Sequence, residues 1–290
     1  MKEFYSTLSS LVNGSSMFYY CSNLSNFSSD LSSLVYGKNM FYYCSNLSNF
    51  SSDLSSLVYG NYMFANCKKL QYFRSFYDSL SSLVSGTEMF NCCENLSTFT
   101  CKLSSLTDGS RMFYDTNLAS FNVDLPSLIN GINMFGVCTN LTTFNSNLSS
   151  MTNGYSMFGM CSNLESFTSD LPNLTNGGSM FFYCENLTTF TSDLSSLTFG
   201  DGMFSCCYKL TSFNDDLSSL TDAFQMFHYC KNLTTFTSDL SNLTDGRYMF
   251  YGTKLDAQSV MYIVHSIKDI AAEKLLYTSG TIPYVSIVNG

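Results

Sequence analysis

Apolar positions along the chain recur as blocks on a long, regular interval. The dipeptide Met-Phe begins at 17, 40, 63, 89, 112, 134, 157, 180, 203, 226 and 249. Eight of the ten intervals are 23 residues, one is 26 (Met63 to Met89) and one is 22 (Met112 to Met134). The unit reads Met-Phe-x-x-Cys-x-Asn-Leu-x-x-Phe-x-Ser-Asp-Leu-Ser-Ser-Leu-x-x-Gly-x-x, and residues 17–37 and 40–60 are identical, which points to a recent duplication. A period in the twenties built on Leu-x-x-Phe predicts a stacked solenoid.

One unit shows how a coil is expected to form. In Leu187-Thr188-Thr189-Phe190-Thr191-Ser192, Leu187 and Phe190 should point inward, with Thr189 and Thr191 outward by strand alternation. Leu194 and Leu197 fill the next side, and Gly200 is expected to turn the chain at positive φ. Met203 and Phe204 close the third side, and Cys207 ends the coil beside Leu210. One coil has too little apolar surface to stay folded alone, but about eleven of them at a spacing of about 4.8 Å make a rod about 50 Å long around one core.

Counting from Leu24, Gly falls at +13, Phe at +17, Cys at +20 and the next Leu at +23. This pattern, over residues 4–255, resembles the BspA-type leucine-rich repeat found in surface proteins of bacteria and protists and in some viruses. The resemblance implies a right-handed superhelix with one short parallel strand plus turn and 3-10 segments per coil. It also implies adhesion or binding without a shared active site, so it assigns no functional residue. The chain departs from the family in having Met where Ala usually precedes the Phe, and mostly Asp where Pro is usual.

The repeat ends after Lys254-Leu255, which divides the chain into a solenoid over 1–255 and a C-terminal cap over 256–290. Asp256 is the expected N-cap of a helix whose apolar stripe is Val260, Ile263, Val264, Ile267 and Ile270, followed by short strands over 275–277 and 282–288. The small α/β cap is expected to seal the last coil. At the other end Phe4, Leu8 and Leu11 already match half a repeat, so Phe4, Leu8, Leu11, Met17 and Phe18 are expected at an open edge where a second copy or a partner subunit could pack.

Composition narrows the function. Apolar residues make up 45% of the 290, and only 12% are charged, so the chain has the material for a core and not the signature of disorder. A net charge of −9 argues against nucleic acid as a partner. No apolar stretch is long enough for a signal peptide or a membrane span, so membrane insertion is not expected. A cell or virion surface is the favoured location; without a signal peptide the protein is either kept inside a cell, or an excised domain, or leaves by lysis or a non-classical route.

The repeated polar residues have structural readings. Cys21, Cys44, Cys67, Cys93, Cys138, Cys161, Cys184, Cys207 and Cys230 share one repeat position and should form a reduced inward ladder, with Cys92, Cys101 and Cys206 off it. With His228 and His265 the only histidines, no metal site and no cofactor is expected. Asp30, Asp53, Asp124, Asp170, Asp193, Asp216 and Asp239 form an acidic row, interrupted by Lys102 and Asn147 as local capping tolerates and a calcium array would not. Thr-Phe-Thr at 98–100, 189–191 and 235–237 is too irregular along the chain for an ice-binding lattice. Asn23, Asn46, Asn95, Asn140, Asn186 and Asn232 should bond neighbouring turns. No catalytic constellation is present, so an enzyme is not expected.

Binding is expected where the units vary. The pairs flanking each Met-Phe, such as Lys38-Asn39, Tyr19-Tyr20 and His228-Tyr229, are rich in Tyr, Ser, Asn and Gly, the palette of adaptable protein-binding surfaces. The irregular coil over 68–78 carries the three-residue insertion, and Lys68, Lys69, Gln71, Tyr72, Arg74, Phe76 and Tyr77 are its candidate contacts for a protein or glycan ligand.

Overall fold

The computed structural model describes residues 2–4, 6–73 and 80–267. It is a stack of short coils, all but the coil of Thr98 and Phe99 contributing a two-residue strand among the described residues. These are β1 (Glu3–Phe4), β2 (Asn26–Phe27), β3 (Asn49–Phe50), β4 (Tyr72–Phe73), β5 (Ser120–Phe121), β6 (Thr143–Phe144), β7 (Ser166–Phe167), β8 (Thr189–Phe190), β9 (Ser212–Phe213) and β10 (Thr235–Phe236). Strands pair in parallel with their repeat equivalents, Asn26 with Asn49 and Phe27 with Phe50, in sheets β1–β4, β5–β8 and β9–β10. A second ladder of single parallel bridges runs unbroken through residues 13, 36, 59, 85, 108, 130, 153, 176, 199, 222 and 245. The insertion therefore lies between Phe73 and Leu80 and leaves this second ladder in step, since Ser85 bridges both Tyr59 and Asp108.

The third side of each coil is a chain of hydrogen-bonded turns, the turn part of the turn and 3-10 segments that the resemblance implied. In the first coil Met17 N–H donates to Gly14 O (3.0 Å), Tyr19 N–H to Ser16 O (3.2 Å) and Cys21 N–H to Phe18 O (3.1 Å). The intervening amides of Gly14, Ser16, Phe18 and Tyr20 donate to Tyr36, Lys38, Met40 and Tyr42 of the next coil at 2.8–2.9 Å. Aiming them there requires a left-handed residue before each Met and before each Cys, as at Ser16 (φ 58°) and Tyr20 (φ 56°). Even Val137, whose branched side chain disfavours it, takes φ 62°. Each such residue costs about 1 kcal/mol, and the inter-coil hydrogen bonds offset it. Alternating handedness is what breaks a 3-10 run.

The glycine ahead of this segment has a different role from the one its sequence suggests. Among the described glycines only Gly202 (φ 59°) and Gly252 (φ 81°) take positive φ, so Gly200 does not turn the chain that way. A Cβ on Gly37 would lie 2.8 Å from Met63 Sδ and 3.1 Å from Leu57 Cδ1, and one on Gly200 3.2 Å from Leu220 Cδ1. Glycine is there because the methionine and leucine of the next coil fill its side-chain space.

The interior is one column of Leu, Met, Phe and Cys. Phe41 stacks on Phe64 (5.3 Å between centroids, 4° between planes) and meets Phe27 edge-on at 4.7 Å, and the pattern repeats along the rod. Ladder cysteines are buried free thiols, with Cys21 half-buried at the end. Each donates to the Phe carbonyl of the coil before: Cys44 Sγ to Phe18 O at 3.1 Å, Cys161 Sγ to Phe135 O at 3.1 Å. In two coils one residue shorter, Thr116 and Thr253 take the cysteine position and donate to Phe113 O and Phe250 O of their own coil. Off the ladder, Cys101 and Cys206 are buried and Cys92 is half-buried.

The acidic row is a set of capped turns. Asp53 Oδ1 accepts from Ser55 N–H at 2.8 Å, Asp216 from Ser218 N–H at 2.8 Å, and Asn147 makes the same bond to Ser149 N–H at 2.9 Å. Asp124 instead accepts from Asn147 N–H at 3.1 Å, because the residue two positions on is Pro126, which has no amide hydrogen. A second row caps the turn before Met-Phe, as where Asp222 Oδ1 accepts from Phe224 N–H at 3.0 Å. The Asn row bonds neighbouring turns as expected, Asn46 Nδ2 to Ser22 O at 2.6 Å and Asn232 Nδ2 to Tyr208 O at 2.9 Å.

The two ends differ. Helix α1 (Ala257–Ser266) starts at Asp256, whose Oδ1 accepts from Ser259 N–H at 2.7 Å. It packs where an eleventh strand would lie: Ser259 Oγ accepts from Phe236 N–H at 3.0 Å, and Ile263 is buried. Ile270 and the expected strands over 275–277 and 282–288 lie outside the described residues. Met249 and Phe250 of the last full coil are 0% exposed, whereas Met17 of the first is 45% exposed and Phe4, Leu8 and Leu11 are half-buried. Phe18 departs from the expected open edge and is buried, because Phe4 covers it edge-on at 4.9 Å and Phe41 stacks beneath it at 5.2 Å.

Candidate binding surfaces

The turn side that carries the variable pairs is lined with aromatic rings, because the backbone of successive coils repeats so closely that equivalent side chains stack. Tyr19 lies on Tyr42 (5.1 Å, 9°) and Tyr20 on Tyr43 (4.7 Å, 2°), with Tyr62 edge-on to Tyr42 at 6.5 Å. Tyr20, at 55%, is among the most exposed large side chains. Desolvation and neighbouring tyrosines hold the Tyr20 and Tyr42 hydroxyls above the usual phenol range. Near the other end a second cluster forms from His228, Tyr229 and Tyr251, with Lys231 Nζ 4.5 Å over the Tyr208 ring. The variable pairs signalled this face, and the identity of residues 17–37 and 40–60 sets Tyr19 against Tyr42 and Tyr20 against Tyr43.

The irregular coil is only partly described. Lys68 lies on the same turn side and pairs with Glu94 at 2.5 Å, which raises its pKa. Lys69 and Gln71 are exposed, and Tyr72 pairs in β4 with Asn49 of β3. Arg74, Phe76 and Tyr77 lie outside the described residues. The candidate contacts thus divide between two sides of the rod, Lys68 with the tyrosine platform and Gln71 and Tyr72 with the strand side. Between the next two coils a cleft of about 600 Å³ opens on the strand side, from Thr98–Thr100 to Ser120–Val123, with Lys102 and Asp124 in its lining. Among the described residues no three His, Cys, Asp or Glu converge as a metal site would need, and no helix is long and apolar enough to cross a membrane.

Comparison with known proteins bears on the repeat. The family model described as BspA type leucine rich repeat region (6 copies) matches residues 12–134, 78–176, 126–224 and 177–276. No curated protein sequence matches the chain. Among solved structures, a leucine-rich repeat protein from Bacteroides ovatus aligns over 96% of this chain and 94% of its own at 17% identity, with a TM-score of 0.33. A leucine rich cell surface protein from Faecalibacterium prausnitzii aligns over 95% and 79% at 17% identity, with a TM-score of 0.39. The matched repeats run over nearly the whole rod, and with their Leu, Phe, Gly and Cys positions each placed in the core the chain belongs to the BspA-type leucine-rich-repeat family.

Proposed function

We propose that this protein is a non-enzymatic binding module that takes a protein or glycan ligand on its aromatic turn side, at a cell or virion surface. The observation that carries the reading is the stacked tyrosine platform, with Tyr19 and Tyr20 exposed and Tyr42, Tyr43 and Tyr62 half-buried, continuous with Lys68. Rigid tyrosines give contact area at low entropic cost, and a rod with a packed interior leaves its surface for recognition. The test is binding to arrayed glycans and immobilised extracellular proteins by the full chain and by Tyr20→Asn with Tyr43→Asn. Asn66 holds the same left-handed position in the next coil, so the substitution fits the backbone. The double variant should lose about tenfold in affinity with an unchanged melting temperature. Unchanged affinity, or no ligand across both arrays, would refute the reading. In the irregular coil, Tyr72→Ala with Arg74→Ala should weaken the same binding less.

A second reading, a structural subunit that packs through its N-terminal face, is favoured by the exposure of Met17 against the complete burial of Met249 and Phe250.

A further inference from the structure

We infer that the N-terminal face is a docking edge for one more coil of this repeat class, carried by a partner polypeptide that enters with its amide-donating edge forward. The inference deepens the second reading above and is independent of the aromatic side. It rests on the direction of the hydrogen bonds. In each coil the amides of four alternate residues donate forward, as Gly37, Asn39, Phe41 and Tyr43 do to the carbonyls of Tyr59, Asn61, Met63 and Ala65. The equivalent carbonyls of the first coil belong to Asn13, Ser15, Met17 and Tyr19, and no amide among the described residues reaches them. Beside them the amides of Val12 and Asn13 reach no acceptor among the described residues, whereas their equivalents Val35 and Tyr36 both donate to Val12 O.

The face therefore presents a row of acceptors at two-residue spacing, two donors at one end of the row, and the apolar side chains of Phe4, Leu8, Leu11 and Met17 behind it. A partner must satisfy all three, because a carbonyl buried without a donor costs free energy that apolar contact has to overcome. A second copy turned face to face sets the acceptor row against itself, or offers it only the amides of Val12 and Asn13. At the far end of a second copy Met249 and Phe250 are covered, so that end does not offer the Met-Phe edge of an open coil. A coil of this repeat supplies four amides at the matching spacing, a carbonyl for Val12 and Asn13, and Leu, Met and Phe to complete the column. Its left-handed residues, equivalent to Ser16 and Tyr20, are what aim those amides.

The experiment adds such a coil to the full chain by repeating residues 26–48 immediately ahead of Glu3, so that its Asn-Phe pair stands to Glu3-Phe4 as Glu3-Phe4 stands to β2. Hydrogen exchange is read at Val12 and Asn13 in both proteins, with sedimentation velocity on the unextended chain. The unextended chain should sediment as a monomer with fast exchange at both amides, and the extension should slow them by about tenfold or more, toward the rate of the central coils. The inference is overturned if those amides are already slow in the monomer, if the unextended chain forms a face-to-face dimer that protects them, or if they stay fast in the extended protein. An extended protein that fails to fold while the unextended one folds also counts against it. Loss of ligand binding in the tyrosine variants would not alter these rates, so the two readings fail separately.

Discussion

Raising the pH from 8 to 10 should unfold this protein under reducing conditions, through the cysteine ladder. Burial pushes the Cys44 thiol up to about 12 and Cys138 up to about 11. It pushes Cys67, Cys93, Cys161, Cys184, Cys207 and Cys230 well above the ordinary thiol value of 9.0. A raised folded pKa means that the folded state keeps a proton which the unfolded chain gives up. The stabilisation is therefore full below 9.0 and is lost as pH climbs toward the folded values of 11 and above. Between pH 8 and 10 an unfolded thiol gains about 1.4 kcal/mol from ionising, which the folded thiol does not. Eight such thiols together cost about 11 kcal/mol, on the scale of the roughly 5–15 kcal/mol that holds a whole domain together. If the rod unfolds in segments, each loses stability in proportion to the thiols it contains. Guanidinium unfolding followed by circular dichroism at intervals from pH 7.5 to 10 measures the slope. Cys161→Ala with Cys184→Ala should reduce that slope by about a quarter, whatever it costs in absolute stability. An unfolding midpoint that is the same at pH 8 and pH 10 would refute the argument, since it would mean the thiols are not held protonated by burial.

Gly37→Ala should destabilise by about 1–3 kcal/mol in thermal melts, because the new methyl must displace Met63 Sδ from 2.8 Å; an unchanged melting temperature would show that the methionine moves aside freely. Asp215 stands where most other coils have a serine, and its Oδ2 is buried with no partner among the described residues. Burial raises its pKa, so the penalty is absent in acid and grows as pH rises through that window. Asp215→Ser should accordingly raise the melting temperature at pH 7 and by less at pH 4, and an equal gain at both would trace the effect to packing alone.

Much of the architecture was legible in the residues because a repeat states its own register. Once Met-Phe recurs every 23 residues, the inward Leu, Phe and Cys and the Asp turns follow from spacing. The single-residue shortening that puts Thr116 in a cysteine position was visible too, as the 22-residue interval from Met112 to Met134.

What the sequence by itself determined is which residues share a column; what only the tertiary structure decided is how neighbouring columns meet. Gly200 is permissive of positive φ, yet the methionine and leucine packed over its α-carbon are the reason for it, and those belong to the next coil. The left-handed residues, among them Tyr20, Asn66, Cys92 and Val137, share no side-chain type, because their conformation is imposed by amides that must reach carbonyls one coil away. The same long-range pairing gives the rod its polarity, with acceptors at one face and donors running away from it. Local propensity records the cost of a backbone conformation, whereas these bonds span some 22 residues and exist only when one coil lies on another.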